Sequence, residues 1–122
     1  MEKDINNFIK LAKSNLSYHA VNKSKFHRLG KKIAKELAQL MNVDADIRSN
    51  MGGIAVSGEI TLHSDNIYVQ FSQNALETCF MYRSCKSKKD YCGGPNNWMQ
   101  WDRLLDLEQV AKIILRNTNA NK

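Results

Sequence analysis

Residues 54–63 read IAVSGEITLH, and their alternating pattern decides the fold class. Ile60 and Leu62 alternate with Glu59 and Thr61, and the same two-residue alternation extends back to Ile54. A period of two places successive side chains on opposite faces of a strand. The pattern therefore predicts one long strand over 54–63, with one face buried and the other exposed.

The flanking residues continue this pattern on both sides. Residues 43–47 alternate before an NMGG turn, and the SDN triplet at 64–66 is typical of a tight hairpin turn. Residues 67–72 and 78–83 form two more alternating runs. Because the connections are short, we expect an antiparallel four-stranded β-meander.

Two helical patterns precede the strands. Apolar residues recur at steps of three and four over 2–16 and again over 24–41, where Ser24 is a candidate N-cap. Arg28, Lys31, Lys32 and Lys35 lie within helical reach of one another and form a basic ridge on the second helix. A solvated helix surface is the alternative interpretation of this ridge.

A third helix is predicted at the C-terminal end. Asp106 followed by Gln109 is typical of a capping box, and the polar residues 117–122 are expected to be frayed. The sequence therefore predicts a single α+β domain over 1–122. Its two N-terminal helices and one C-terminal helix would pack on one face of the sheet.

The chain is basic, with 18 Lys and Arg residues against 12 Asp and Glu residues and a net charge of +6. A positive net charge favours anionic partners through its long-range field, without specifying one. The opening MEKDINNFIK lacks the apolar core of a secretory signal, and no run approaches the roughly 18 apolar residues that cross a bilayer. We expect a cytoplasmic protein that does not contact a membrane.

No recognised catalytic or metal-binding pattern occurs. Cys79, Cys85 and Cys92 match neither a closed set of disulfides nor the paired C-x2-C units of zinc sites. The three histidines are dispersed, and P-loop and dinucleotide-binding glycine patterns are missing. We expect no metal, no cofactor and no enzymatic activity.

The 80–101 segment, FMYRSCKSKKDYCGGPNNWMQW, contains both Trp residues, two of the four Tyr residues and the only Pro. Rings and cations together suit an anionic partner with flat rings, either a nucleotide or a nucleic acid. We expect Tyr68, Phe80 and Tyr82 on the exposed sheet face, where each stacked base would contribute about 1–3 kcal/mol. Alternatively, these rings pack under a loop or in a contact between subunits.

The loop within this segment offers further binding groups. Gly93 and Gly94 permit a backbone nest for an anion, Asn96 and Asn97 suit a base edge or a ribose, and Arg83 and the lysines suit phosphate. An ordinary turn between strand and helix is the alternative. The candidate ligand-binding residues are Phe80, Tyr82, Arg83, Lys88, Asp90, Tyr91, Gly94, Asn96, Asn97, Trp98 and Arg103.

The runs GGIAVSGEITLH, YVQFS and MYRSCKSKKDYCGGPNNW resemble small phage and prophage proteins. Their layout is similar to that of the phage Thoeris anti-defence proteins of the first type. That resemblance implies a non-enzymatic, oligomeric sponge that sequesters cyclic nucleotide signals such as cyclic ADP-ribose isomers. It also implies that aromatic and arginine side chains hold the adenine; the residues of suitable type are Phe80, Arg83, Asn96, Asn97 and Arg103.

The leading hypothesis is a phage-type homo-oligomer that binds a small cyclic nucleotide immune signal, either a cyclic ADP-ribose isomer or a cyclic oligonucleotide, and thereby inhibits host anti-phage defence. The alternative is a small basic nucleic-acid-binding protein that uses the ridge and the 80–101 segment. The lysine-rich helix of double-stranded-RNA-binding domains follows the strands, whereas the lysine-rich helix of this chain precedes them. We therefore do not expect a domain of that class. A third possibility is an inhibitor that binds a host protein.

Overall fold

The computed structural model describes residues 1–16, 19–53, 55–73, 78–90 and 93–118. Within these ranges it contains three α-helices, five strands and a short 3-10 helix. In chain order they are α1 (Glu2–Ala12), α2 (Ala20–Met41), β1 (Asp46–Asn50), β2 (Glu59–His63), β3 (Ile67–Phe71), β4 (Cys79–Ser84), β5 (Asn97–Gln100), the 3-10 helix (Trp101–Leu105) and α3 (Leu107–Thr118). None of the described helices combines the length and apolar character needed to cross a membrane.

The strands form one antiparallel sheet in the order β1-β2-β3-β4-β5. The predicted α+β class and the antiparallel meander are confirmed. The number of strands is five instead of the predicted four, because β5 pairs with β4. Its residues NWMQ were predicted as loop, since four residues are too few to establish a period of two.

The second strand is shorter than the predicted 54–63. It begins at Glu59, because the chain turns at Gly58. Gly58 has a φ of +70°, and an added Cβ would overlap the Asn50 carbonyl oxygen. Only glycine adopts this conformation without strain. Ile54 lies outside the described residues.

The helix ends differ from prediction, and one of the two predicted capping signals is present. Ser24, the predicted N-cap, lies inside α2, whose N-cap is His19. α1 ends at Ala12 instead of residue 16, and α2 begins at Ala20 instead of Ser24. The Gln109 N–H donates to Asp106 Oδ1 at 3.2 Å, as a capping box requires. α3 extends to Thr118, and residues 119–122 lie outside the described ranges, so the fraying of 117–122 stays a prediction.

The core is built around an aromatic cluster. Phe8 stacks on Phe26 with ring centroids 4.7 Å apart, and Phe80 lies 5.2 Å from Phe71 and 5.5 Å from Trp101. All five side chains are at most 1% exposed. The same cluster of buried residues extends into α3 and β5, so it includes side chains from all three helices and one face of the sheet.

Candidate functional site

Alternate residues of the strands point away from the core and form a second sheet face, which we call the outer face. Two rows of paired residues cross it. The central row consists of Arg48, Thr61, Gln70, Met81 and Trp98, one from each strand. The second row consists of Asp46, His63, Tyr68 and Arg83, one from each of β1 to β4. The central row is accessible at both ends, because the Arg48 side chain is 70% exposed and Trp98 is 43% exposed.

The outer face contains Tyr68 but neither Phe80 nor Tyr82, so the prediction that these three rings share the exposed face is wrong. Tyr68 pairs with Arg83 and Val69 pairs with Tyr82, which places Tyr82 on the core side. Phe80 is fully buried and Tyr82 is 3% exposed. A ligand cannot stack on either ring unless the core opens.

Arg83 and Tyr68 form the centre of the second row. The Arg83 Cζ atom lies 4.2 Å from the centroid of the Tyr68 ring, a cation–π geometry. His63 meets the same ring edge-on, with centroids 5.0 Å apart, and the Tyr68 hydroxyl donates to Gln70 Oε1 at 2.8 Å. Arg83 is 5% exposed and Tyr68 is 8% exposed. The contacts of Tyr68 with His63 and Gln70 fix the ring against which the buried guanidinium packs.

The two glycines of the predicted anion nest make contacts within the protein. The Gly93 N–H donates to Asp90 Oδ1 at 3.0 Å, and the Gly94 N–H donates to the Ser84 carbonyl oxygen at 2.9 Å. Gly93 has a φ of +39°, and an added Cβ there would overlap Arg83 Nη1. The prediction of a nest is therefore corrected: Asp90 and the glycines shape the loop and pack it on Arg83.

Lys88 connects this loop to the region around β1. Its Nζ atom lies 3.3 Å from a carboxylate oxygen of Asp44 and 3.7 Å from one of Asp46. The hydrogen bond with Asp44 raises the pKa of Lys88. A cavity of about 240 Å³ lies beside Lys88; it is lined by Asp46, Arg48, Asn50, Glu59, Thr61, His63, Tyr68 and Lys88.

A wider cleft of about 940 Å³ continues from this cavity, because both are lined by Asn50 and Glu59. The cleft extends past Gln70 of the central row to the C-terminal end of α1, where it is lined by Lys13 and Ser14. Small-molecule sites usually have volumes of about 300–1,000 Å³. The cavity and the cleft together provide space for a nucleotide-sized ligand.

Helix α2 fixes one wall of this cleft. His27 Nε2 donates to the Ser57 carbonyl oxygen at 2.8 Å, so Nδ1 is left to accept from Ser49 Oγ at 2.7 Å. Lys23 Nζ donates to the Gly53 carbonyl oxygen at 2.7 Å. Both side chains are buried, and burial lowers the pKa of His27. The loop between β1 and β2 is thus held by two residues one helical turn apart.

The remaining predicted site residues are dispersed. The Asn97 side-chain amide donates to the Tyr82 carbonyl oxygen at 3.4 Å and to the Pro95 carbonyl oxygen at 3.3 Å, so its side chain braces β5. Asn96 is exposed before β5, and Arg103 is exposed in the 3-10 helix; neither belongs to the two rows. Tyr91 lies outside the described residues. Of the predicted residues, Arg83, Lys88 and Trp98 reach the outer face or its rim.

Several outer-face residues were not selected from the sequence. They are Asp46, Arg48, Glu59, Thr61 and His63. Alternation contains a signal for two of them: because Ile47 packs against the core, Asp46 and Arg48 must point the other way. The alternating pattern does not show that Lys88, from a loop much later in the chain, approaches Asp46.

The chemistry of the site is that of polar and ionic contact. Arg48 and Lys88 supply positive charge, and Asp46 and Glu59 supply negative charge. The Cys85 thiol donates to the Ser64 carbonyl oxygen at 3.3 Å, and burial raises its pKa, so it is held as the neutral thiol. Within the described ranges, no three His, Cys, Asp or Glu residues form a group that could hold a metal ion.

Comparison with known proteins identifies no relative. No protein-family model matches the chain, and no significant similarity is found to curated proteins or to solved structures.

Proposed function

We propose that the protein binds a small cyclic nucleotide on the outer face of its sheet without transforming it, and so sequesters the signal. The observation that carries this proposal is the joined cavity and cleft beside the row of Asp46, His63, Tyr68 and Arg83. These walls combine cations, carboxylates and neutral hydrogen-bonding groups at the scale of one nucleotide ligand.

Each part of a nucleotide has a matching group on this face. The exposed Arg48 guanidinium suits a phosphate, because its fork of donors binds two oxygens at once. Glu59 and Asn50 suit the hydroxyls of a ribose or the edge of a base. Trp98 offers an exposed ring at the other end of the central row, but it lines neither the cavity nor the cleft, so only a ligand that extends beyond them would reach it.

The small number of cations favours a small ligand over a long strand on this face. Arg48 and Lys88 lie beside Asp46 and Glu59, so the local charge is nearly balanced. A strand of nucleic acid would need a continuous row of positive charge. In a homo-oligomer, the partner subunit would close the outer face over the ligand. A phage-encoded sponge of this kind would inhibit host anti-phage defence by lowering the concentration of the signal.

The test is thermal unfolding and calorimetric titration with cyclic ADP-ribose isomers and cyclic dinucleotides. A ligand at 100 times its Kd raises the free energy of unfolding by about 2.7 kcal/mol, which shifts the Tm by several degrees. Arg48→Ala should weaken binding more than tenfold. Arg28→Ala, which removes an exposed arginine from α2, should leave binding unchanged.

Two results would overturn the proposal. The first concerns binding: either no small cyclic nucleotide in the panel shifts the Tm, or Arg28→Ala weakens binding as much as Arg48→Ala. The second concerns turnover: ligand recovered after denaturation of the complex should have its original mass. A hydrolysed ligand would show that the protein is an enzyme.

A further inference from the structure

The positive charge of the chain is concentrated on α2. This helix contains six Lys or Arg residues and one Glu, a net charge of +5, whereas the whole chain carries +6. All the other residues together therefore contribute only +1. A charge distribution selected for solubility alone would be spread over the surface.

Five of these cations form one stripe, which we call the α2 stripe: Lys25, Arg28, Lys31, Lys32 and Lys35. Four are exposed and Lys31 is partly exposed, on the side of α2 opposite the buried residues Phe26, Ile33 and Leu37. At a rise of about 1.5 Å per residue, the stripe is about 15 Å long. Within the described ranges, one ion pair involves it, from Lys32 Nζ to Asp4 Oδ2 at 2.5 Å.

The arrangement does not serve helix stability. Arg28 has a like charge three residues later at Lys31 and four residues later at Lys32, and such pairs on a helix repel each other. The first turn of α2 has no acidic residue and the last turn has no basic one, so neither end has the charges that the helix dipole favours. A partner that supplies negative charge along the stripe would remove this repulsion.

We propose that the α2 stripe binds the phosphodiester backbone of a nucleic acid. Duplex DNA presents one negative charge for about every 1.7 Å of its axis, so a stripe of this length faces several phosphates at once. An anionic membrane fits less well, because an interfacial helix inserts an apolar face into the lipid and the apolar face of α2 is buried in the core. The contacts are to the backbone, so they select charge density and not base sequence.

This surface is distinct from the outer face of the sheet. Inner-side residues of α2 pack in the core with Ile60 and Leu62 of β2, so the stripe and the outer face lie on opposite sides of the helix–sheet layers. Nucleic-acid binding at the stripe and nucleotide binding at the outer face therefore succeed or fail independently.

The experiment is fluorescence anisotropy with a labelled duplex and a labelled single strand, each about 20 nucleotides long, at salt concentrations from about 50 to 200 mM. The test variant combines Lys31→Gln and Lys35→Gln, which removes two charges and keeps good helix formers. The matched control combines Lys112→Gln and Arg116→Gln, two exposed cations of α3. Both variants have the same net charge.

We expect the test variant to lose at least tenfold in affinity at the lowest salt, and its plot of log affinity against log salt to flatten by about 1.8, for two phosphates no longer neutralised. The control should change affinity less than twofold. Equal losses in both variants would overturn the proposal, since binding would then follow net charge alone. So would the absence of binding to either strand form, or tighter binding to anionic lipid vesicles than to nucleic acid. The test variant should bind the cyclic nucleotide as the wild type does, whereas Arg48→Ala should weaken that binding more than tenfold.

Discussion

The 80–101 segment and helix α2 are both rich in cations, but the fold uses these cations differently. In the segment, Arg83 is buried against Tyr68, and Lys88 is held by Asp44. In α2, the five cations of the stripe remain on the surface, and Lys32 is the one stripe residue that forms an ion pair with another described residue. Residue types show which groups suit an anionic partner, whereas burial and internal partners decide which of them can reach it.

The aromatic residues of the segment show the same distinction. Phe80 and Trp101 belong to the core cluster, and Trp98 is 43% exposed on the outer face. Most of the aromatic rings of the segment therefore stabilise the fold. A binding role for the segment depends on Trp98 and on the groups that surround the cavity.

The largest expected effect is on the free energy of unfolding, and it distinguishes the buried ring of Phe80 from the exposed ring of Trp98. Phe80→Ala should lower the free energy of unfolding by about 3–5 kcal/mol, because it removes a fully buried ring and leaves a cavity between Phe71 and Trp101. Trp98→Ala should lower it by about 1 kcal/mol or less, since much of that ring is already in contact with water. Urea unfolding of the two variants measures the difference.

The opposite ranking of these two variants would contradict the assignment of Phe80 to the core. A Phe80→Ala variant with wild-type stability and lost nucleotide affinity would do so as well, because it would place the ring in the binding site. Phe80→Leu serves as the control for size, with a smaller loss than Phe80→Ala.

Alternation predicted the strands whose two faces differ in polarity. β1 to β4 were found because apolar residues such as Ile47 and Leu62 alternate with polar residues along the chain. β5 was missed because Trp98 and Met99 provide too short a run to show the period. The faces of β4 were assigned incorrectly because the connection after β3 gave no indication of the register that pairs Tyr68 with Arg83.

The candidate site was less predictable, because it depends on contacts between distant residues. The sequence contains Arg83 and Lys88 as cations, but it does not show that Gly93 packs on the first or that Asp44 binds the second. The basic ridge was more predictable, since its members lie on one helix and need no long-range contact to share a face.

A medium effect is expected at His27, on the inner side of α2, where a positive charge on the ring would lower the free energy of unfolding. Burial holds the pKa of His27 below its ordinary value, so the folded protein favours the neutral ring. The unfolded chain binds the proton more readily. The stabilisation is therefore complete above about pH 6.5 and is lost as the pH falls through the lower pKa of the folded state.

We expect the free energy of unfolding to fall between about pH 7 and pH 5 in the wild type, and to fall less in His27→Gln, which has no titrating group at this position. Urea unfolding across this pH range measures both curves. Lys23 and Glu59 are the charged groups that act on His27, so Glu59→Gln is the control for an indirect origin. Parallel curves for the wild type and His27→Gln would show that another group titrates.

The smallest effect is expected at Asp4, which among the described residues is the one carboxylate in an ion pair with the α2 stripe and would compete with a nucleic acid for it. The hydrogen bond from Lys32 lowers the pKa of Asp4, so Asp4 is ionised at neutral pH and holds Lys32 in an ion pair. Exposed ion pairs contribute little to stability. Asp4→Asn should therefore unfold like the wild type and bind duplex DNA about two- to fourfold more tightly at low salt.

The control is Asp102→Asn, which breaks the surface ion pair between Lys13 and Asp102, at 2.6 Å, and changes the net charge by the same amount. Because Lys13 follows the last residue of α1 and lies outside the α2 stripe, this variant tests whether the position of the added positive charge matters. If anisotropy shows the same gain for both variants, the long-range field accounts for the binding. A gain for Asp4→Asn alone requires that the phosphates lie close enough to Lys32 to replace the carboxylate, which places them on the exposed side of α2.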